Sequence, residues 1–298
     1  MRTIENIDTS AGLAFSENRT GEIILAGKSQ QNWIKIDGRT VTFSALKTGF
    51  IAKANDLDSL VLLNKIDQLG AGKIRDISYA EGKTQFGILL ENVGSITPAG
   101  SIPVVSIGNQ VAVLFFSNNG NFVTSRHYAA QGLHLDQTDL TYGTNDGLIW
   151  GFTYSGTLNW GSQLFSSNGN EDVGLVKFDV NGNVEWHKSY GSGDKETVSH
   201  LLYENGVLYF GGQLNGNTQV RRMGSYYFIN PTSFKNRTYI SYVLDTVSTT
   251  ASELYQATST DLYKREVFRA PIDTKLRVYP NPFKEEVVLE FQSERTMN

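Results

Sequence analysis

The chain has 298 residues, 19% of them charged, a formal net charge of −4 and no cysteine. This length suits one large all-β domain or two ordinary domains. The balance of charge lacks the basic excess expected of a nucleic-acid-binding protein, and the absence of cysteine excludes disulfides and thiolate metal sites. The longest apolar run, Val111–Phe116, is far too short to cross a bilayer, so we expect no membrane span.

A repeat of about sixty residues is the most informative feature of the sequence. A short segment occurs four times and ends in Ala26-Gly27, Phe86-Gly87, Trp150-Gly151 and Phe210-Gly211. Its final glycines are spaced 60, 64 and 60 residues apart. A longer segment, Val111–Tyr128, aligns with Val173–Tyr190 without a gap. Repeats of this length indicate one supersecondary unit that has been copied, with each copy burying its apolar face against its neighbours.

Each copy has the composition of short strands separated by Gly, Asn and Asp. In the clearest copy, Val173–Asp179 and Val184–Tyr190 are predicted strands. They are joined at Asn181-Gly182, where we expect a two-residue hairpin turn with positive φ at both positions. A second hairpin turn is predicted at Asn205-Gly206. Each copy therefore holds four short antiparallel strands, the content of one propeller blade, and the pattern contains no convincing helix.

The predicted fold is all-β, a β-propeller-like array of about four 60-residue, four-stranded repeats. The predicted divisions are a repeat domain at 1–264, a linker at 265–275 and a C-terminal segment at 276–298. The repeats open in the second half of a unit, at Ala14-Phe15, and end in a first half, Tyr239–Asp245. Strands from the two ends of the array would then complete one blade together.

The clearest copy carries an ordered pattern of acidic, aromatic and glycine residues. The pattern consists of Asp172, Lys177, Phe178, Asp179, Gly182, Trp186, Tyr190, Gly191 and Gly211. It resembles the repeat of secreted bacterial β-propellers of the SBBP type, over about residues 14–245. The copies depart from that repeat at Ser192 and Ala129, which replace glycines, and at Ser117, which replaces the aspartate. The resemblance implies a propeller in a secreted protein.

Two prolines bracket a bend near the C-terminal end, in Tyr279, Pro280, Asn281 and Pro282. They fix φ and remove backbone donors, so a strand at Leu276–Tyr279 must stop there, and Val287–Phe291 begins another strand. The segment resembles the opening of the type A C-terminal sorting domain of the type IX secretion system of Bacteroidetes. The resemblance implies the start of a small β-sandwich, a sorting motif in these four residues, and the type IX machinery as a partner.

The two ends of the sequence suggest that it is a fragment. Members of the sorting-domain family continue well beyond the point at which this chain stops, Asn298. The first residues, Met1–Asn6, contain no apolar segment of the kind that forms a signal peptide. We therefore expect the full-length parent to be secreted or held at the outer cell surface, and the present polypeptide not to be exported.

Metal binding and catalysis find little support in the residue pattern. Asp179–Asn183 offers oxygen ligands at positions 1, 3 and 5 of a calcium loop. However, its glycine falls at position 4, and no glutamate stands at position 12. We therefore interpret the segment as a hairpin turn. The four histidines, His127, His134, His187 and His200, form no metal-spaced pair. We predict neither a catalytic residue nor a metal or cofactor.

Acids and tryptophans supply the remaining candidates. The closest acid pairs are Asp56 with Asp58, Asp136 with Asp139, and Asp194 with Glu196. They would serve glycoside hydrolysis only if their side chains faced each other across a cleft. Trp150 and Trp186 fall inside predicted strands, where packing is the expected role. Trp160, in a predicted loop, is therefore the predicted ligand contact.

The expected function is a non-enzymatic module that binds an extracellular protein or glycan, or that supports neighbouring domains. Propellers serve this role because their loops vary while their blades hold the frame. The alternative is an extracellular polysaccharide hydrolase, whose signature would be acids at equivalent positions of successive copies. The best-aligned copies lack it, because Asp179 aligns with Ser117. A third possibility is an incomplete remnant without a function of its own.

Overall fold

The protein is described by a computed structural model. It describes residues 4–17, 22–36, 38–55, 59–67, 69, 71–80, 82–93, 96–98, 109–160, 162–215, 220–223, 226–229, 236–245, 274–280 and 287–293. The chain divides into two compact units, Met1–Thr249 and Thr250–Asn298. The described residues are mostly β-strand, with two short 3-10 turns, Thr9–Ala11 and Thr144–Asp146, and no α-helix. The all-β prediction is confirmed.

Four antiparallel sheets form the frame of the first unit. Sheet 1 contains β2 (Leu13–Glu17), β3 (Ile23–Lys28), β6 (Gly49–Asn55), β7 (Ser59–Asp67) and the short β10 (Thr97–Pro98). Sheet 2 contains β8 (Lys73–Ser78), β9 (Gln85–Val93), β11 (Asn109–Ser117) and β12 (Phe122–Ala129). Sheet 3 contains β13 (Leu133–Tyr142), β14 (Leu148–Tyr154), β17 (Asp172–Phe178) and β18 (Val184–Tyr190). Sheet 4 contains β19 (Lys195–Glu204), β20 (Val207–Asn215) and β23 (Asn236–Leu244).

Smaller elements accompany these sheets. A cap sheet consists of β1 (Ile4–Glu5), β4 (Trp33–Ile36) and β5 (Arg39–Thr42). Two separate hairpins consist of β15 (Thr157–Trp160) with β16 (Gln163–Ser166), and β21 (Val220–Met223) with β22 (Tyr226–Ile229). The second unit contains β24 (Thr274–Pro280) paired with β25 (Val287–Ser293).

Successive sheets pack face to face, and each interface has its own apolar core. The core between sheets 1 and 2 includes Ile24, Ile51, Phe86, Ile88 and Leu114. The core between sheets 2 and 3 includes Phe115, Trp150, Phe152, Tyr154 and Phe178. The core between sheets 3 and 4 includes Ile149, Leu175, Leu208 and Phe210. The other face of sheet 1 is covered by the cap sheet and its neighbours, through Ile34, Ile36, Phe43, Phe50 and Ala52.

The first strands of the four sheets (β2, β8, β13 and β19) lie beside one another, because β8 contacts both β2 and β13, and β13 contacts β19. Antiparallel meanders of three to five described strands, joined in this way, agree with the predicted repeats. Each sheet combines the second half of one predicted copy with the first half of the next. No described strand from the end of the array pairs with one from its beginning, so the predicted shared blade is not formed by this part of the chain. A closed propeller ring stays a prediction.

The structure corrects the alignment of the first copy by one residue. Gly87 and Gly151 face the next sheet, since a Cβ at either position would overlap a leucine of that sheet. In sheet 1 the residue facing sheet 2 is Ala26, which is fully buried in their common core. Gly27 faces the opposite side, against Phe50. The position therefore requires a small residue but not glycine. The glycine spacing placed Gly27 at this position of the first copy, whereas the structure places Ala26 there.

The two predicted hairpin turns have different outcomes. Asn205 and Gly206 both have positive φ, 51° and 83°, and Glu204 pairs directly with Val207. This turn is as predicted. The prediction of a two-residue turn at Asn181-Gly182 is wrong. The last paired residues of the two strands are Phe178 and Val184, so residues 179–183 form a longer loop, in which Gly182 alone has positive φ.

Asp179 explains the longer loop. Its Oδ1 accepts the backbone N–H groups of Asn181 and Asn183 at 2.8 and 2.7 Å, and its Oδ2 accepts the Asn183 side-chain amide at 3.0 Å. Burial raises the pKa of Asp179, but these hydrogen bonds from Asn183 and Asn181 outweigh it and leave the pKa below its usual value. The segment is a hairpin turn, as the sequence indicated in preference to a calcium loop.

In the second unit the two predicted strands are present. Leu276 pairs with Phe291 and Tyr279 with Val288, within β24 and β25. The strand β24 extends to Pro280, one residue past the predicted stop. Asn281 and Pro282 of the predicted sorting motif lie outside the described residues. The predicted linker, 265–275, is described only where β24 begins, at Thr274.

The close approach of sheets 3 and 4 at Gly151 can be tested by substitution. A Cβ at this position would lie 2.9 Å from Leu201, so Gly151→Val should overpack the interface and lower the free energy of unfolding by about 1–3 kcal/mol. Urea denaturation measures the change. The control is Gly193→Val, where a Cβ would meet nothing within 4 Å. Equal stability of the two variants would contradict the described packing.

Candidate functional site

A β-bulge occurs at the same point of the first strands of sheets 2, 3 and 4. The pairing register shifts between Ile74 and Asp76 in β8, between His134 and Thr138 in β13, and between Val198 and His200 in β19. Bulges leave residues out of the ladder and redirect their side chains. The bulges displace Arg75 in β8 and the three residues 135–137 in β13 from regular pairing.

Equivalent ionisable residues follow these bulges in the three sheets. They are Asp76, Asp139 and His200, and each stands three residues before a tyrosine, Tyr79, Tyr142 or Tyr203. The two aspartates are therefore acids at equivalent positions of successive copies, which sequence reasoning had sought elsewhere. The spacing Asp-x-x-Tyr, repeated once and followed by His-x-x-Tyr, was the signal that could have found them.

Both aspartates connect neighbouring sheets through backbone N–H groups. Asp76 Oδ2 accepts the N–H of Leu140 in sheet 3 at 2.6 Å, and its Oδ1 accepts the N–H of Ile77 at 2.7 Å. Asp139 Oδ2 accepts the N–H of Leu201 in sheet 4 at 2.6 Å. Its Oδ1 also accepts the Leu140 N–H, at 2.9 Å. The two carboxyl groups thus approach the same backbone donor.

This proximity changes the protonation of the pair. Burial, the charge of Asp139 and a hydrogen bond to it raise the pKa of Asp76 to about 8. Burial also raises the pKa of Asp139, although the hydrogen bond with Asp76 opposes this. Two like charges in contact disfavour double ionisation. At neutral pH the pair therefore holds one proton, which Asp76 donates to Asp139.

An open cavity of about 330 Å³ lies over the bulges of sheets 2 and 3. It is lined by Arg75, Glu91, Ala130, Leu133, His134, Leu135, Asp136 and Gln137. Arg75 is held between two acids, with Nη2 2.5 Å from Glu91 Oε2 and Nη1 2.6 Å from Asp136 Oδ1. The Gln137 Oε1 is buried and has no hydrogen-bond partner. A cavity of this size and mixed lining suits a small polar ligand.

A buried ion pair joins sheets 3 and 4 elsewhere. The Lys177 side chain is 1% exposed, and its Nζ lies 2.8 Å from Oδ1 of Asp245, whose side chain is fully buried. Asp245 also accepts the Trp186 indole N–H at 3.1 Å and both the N–H and hydroxyl of Thr144. Burial raises the pKa of Asp245, but these bonds, led by that from Lys177, leave it below its usual value. Two residues of the SBBP-type pattern, Lys177 and Trp186, are therefore structural here.

Trp160, the predicted ligand contact, lies in the aromatic core between sheets 2 and 3. It is 9% exposed. Its ring stacks on Trp150, with centroids 5.6 Å apart and 7° between planes, and its centroid lies 4.4 Å from that of Tyr128. The indole Nε1 is buried without a partner. A ligand contact at Trp160 stays a prediction, at a ring whose neighbours are other aromatic side chains.

The other candidate residues are dispersed. Of the four histidines, His134 lines the cavity and His200 follows the bulge of β19. Burial lowers the pKa of the other two, His127 and His187. Among the residues that the structure describes, no group of three or more side chains could hold a metal ion.

The paired acids have separate surroundings. Asp136 lines the cavity, whereas Asp139 bonds to Asp76 and to the backbone. Glu196 is buried and accepts the N–H and hydroxyl of Ser192. Asp56 and Asp58 lie outside the described residues.

Comparison with known proteins gives no family assignment: no protein-family model and no curated protein matches this chain. Within the described ranges, no helix has the length and apolar character needed to cross a membrane. The SBBP-type and sorting-domain resemblances stay predictions.

The shared proton predicts an unusual dependence of stability on pH. The pKa of Asp76 is higher in the folded chain than in the unfolded chain, where an aspartate titrates near about 4. This group's contribution to stability is complete below that value and is lost as pH rises through about 8. Asp76→Asn keeps a donor toward Asp139 and removes the titration, so it should be the more stable form at pH 9.

Urea denaturation at pH 6 and pH 9 measures this difference. We expect wild-type stability to fall by ~1 kcal/mol per pH unit between pH 6 and 8, and the fall to be much smaller in Asp76→Asn. Asp136→Asn is the control, because that side chain is 89% exposed. The same pH dependence in wild type and Asp76→Asn would show that the pair does not share a proton.

Proposed function

We propose that the first unit is a non-enzymatic binding module, whose ligand site is the cavity over the bulges of sheets 2 and 3. The observation that carries the proposal is the contrast between two sets of polar groups. Asp76, Asp139 and Asp245 are bonded to groups that hold sheets together. Arg75 and Asp136 form an ion pair between sheets 2 and 3, but their side chains also border an open cavity.

The lining favours a neutral glycan as the ligand. Arg75, Glu91 and Asp136 together carry one net negative charge, which disfavours an anionic ligand. Their donors and acceptors match the hydroxyl groups of a sugar, and the unpartnered Gln137 Oε1 can accept one further hydrogen bond. Leu133 and the neighbouring apolar residues offer contact to the C–H faces of a sugar ring. An extracellular protein loop is the second possible ligand.

We test ligand binding with an array of neutral oligosaccharides and measure affinities by calorimetry. Asp136→Asn should weaken binding about tenfold, because it removes a charged hydrogen-bond acceptor from the cavity rim. The control is Glu5→Gln, which changes another exposed, ion-paired acid, on the cap sheet and outside the cavity lining. Absence of binding, or equal affinity of wild type and Asp136→Asn, would refute the cavity as the glycan site.

The hydrolase alternative has one observation in its favour. Asp76 and Asp139 are acids at equivalent positions, and the raised pKa of Asp76 would keep a proton donor at neutral pH. Against it, all four of their carboxyl oxygens accept backbone N–H groups. Release of reducing ends from the same glycans distinguishes the two functions. Turnover that Asp76→Asn abolishes would support the hydrolase, and no turnover would support the binding module.

Export is proposed from the C-terminal pattern. The full-length parent would be a secreted or outer-surface protein of Bacteroidetes that uses the type IX system, with the sorting motif at Tyr279, Pro280, Asn281 and Pro282. The antiparallel pairing of β24 with β25 supports this because the motif requires a strand on each side of the bend. Protease treatment of intact cells should degrade the native protein but spare a periplasmic marker. Survival of both would contradict export.

A further inference from the structure

Lys177 and Asp245 form an ion pair from which water is excluded. Lys177 lies in β17 of sheet 3, and Asp245 directly follows β23 of sheet 4. The Lys177 Nζ lies 2.8 Å from Asp245 Oδ1 and 3.0 Å from its Oδ2, and the two side chains are 1% and 0% exposed. The Lys53–Glu22 pair is a contrast, because its side chains are 14% and 28% exposed. The Lys177 amine is therefore held against both oxygens of a carboxyl group in a dry environment.

Burial makes the charged state of such a pair costly. Each ion loses its hydration, and the mutual attraction has to repay this loss. Conversion of an ammonium and a carboxylate into an amide removes both charges and releases one water molecule to the solvent. Groups already held in contact also react without the entropic cost of bringing two solutes together. Amide formation is therefore more favourable at this site than between the same groups in water.

The Asp245 carboxyl group is surrounded by hydrogen-bond donors. Its Oδ2 accepts the backbone N–H of Thr144 at 2.9 Å and the Thr144 hydroxyl at 2.8 Å. Its Oδ1 accepts the Trp186 indole N–H at 3.1 Å. Attack of a nucleophile at the carboxyl carbon would place negative charge on Oδ2. The two donors already directed at that oxygen would stabilise this charge, as an oxyanion hole does.

A second carboxylate lies beside the amine. Glu185, in β18, has its Oε2 3.0 Å from the Lys177 Nζ. This oxygen is buried and has no well-directed hydrogen bond, so it can accept a proton from the amine. A lysine nitrogen acts as a nucleophile only after its ammonium group has lost a proton. Glu185 is therefore placed to act as the general base for Lys177.

Two glycines allow the reacting groups to approach each other. A Cβ at Gly147 would lie 2.4 Å from Lys177 Cε, and one at Gly143 would lie 2.6 Å from Asp245 Oδ2. Both glycines flank the short 3-10 turn that begins at Thr144. A side chain at either position would displace the lysine or the carboxyl group. The backbone of this turn thus leaves room for the amine and the carboxyl group to meet.

We propose that Lys177 and Asp245 become joined by an amide bond that links sheets 3 and 4 covalently. Glu185 removes a proton from the Lys177 ammonium group, and the nitrogen lone pair forms a bond to Cγ of Asp245. The Cγ–Oδ1 bond then breaks. Oδ1 leaves as water with two protons of the ammonium group, one of them delivered by Glu185, which is thereby regenerated. The nitrogen keeps the third proton, the two charges cancel, and no oxidant or other reactant is needed.

The bond would act as a covalent cross-link in a chain that cannot form disulfides. The sequence has no cysteine. The amide would tie the end of β23 to β17 and close a loop of all the residues between them, which restricts the unfolded chain as a disulfide does. The inference does not depend on the proposed ligand, because neither Lys177 nor Asp245 lines the cavity.

Intact-mass spectrometry of the purified full chain tests the proposal. The wild type should be lighter than its sequence by the mass of one water molecule. Tryptic digestion in urea should give a branched species that joins residues 127–188 to residues 238–264, with no cleavage after Lys177. A wild type with the full sequence mass would overturn the proposal, and so would a mass deficit located at other residues. The wild-type digest does not depend on the folding of any variant.

Three variants test the roles of the residues. Lys177→Arg keeps the positive charge but lacks the amine, so it should have the full sequence mass. Glu185→Gln keeps the shape of the side chain but not the base, and most of its chains should have the full mass. Lys53→Arg, at the more exposed pair, is the matched control and should keep the wild-type deficit. A deficit that persists in Lys177→Arg, or a Glu185→Gln chain as fully cross-linked as wild type, would contradict these assignments.

Discussion

Stacking of β-sheets through their apolar faces is the constraint on which the first unit depends. Each of the first three sheets is too thin to form a core alone, so it buries one face against the preceding layer and the other against the next. A small residue, Ala26, Gly87 or Gly151, stands at the point of closest approach. The glycine of the sixty-residue repeat marks this position in sheets 2 and 3, and Ala26 occupies it in sheet 1.

Stacking also sets the chemistry of the polar groups. Bulges in the first strands interrupt the ladders, and carboxyl groups beside them accept N–H groups of the next sheet. Asp76 and Asp139 fill this role, and their closeness makes them share a proton. The same bulges direct Arg75 and Asp136 to the open cavity. Structural acids and the proposed binding residues therefore arise from one local feature.

Local patterns allowed much of the fold to be predicted. The strand β18 has its predicted bounds, Val184–Tyr190, and the turn at Asn205-Gly206 follows from the conformational preference of those two residues. The long-range contacts could not be predicted from the sequence. Nothing local pairs Lys177 with Asp245 or Asp76 with Asp139, because those distances depend on how whole sheets stack. The error at Gly27 has the same origin, since the position selects small size and not glycine itself.

Carboxyl-carbon NMR titration of Asp76 and Asp139 would test the stacked arrangement most directly. These residues come from successive sheets, and they meet only if the sheets pack in the described order. The account predicts that one group of the pair titrates near pH 8. Titration of both groups near about 4, the ordinary value for a solvated aspartate, would place them apart in water and contradict the account.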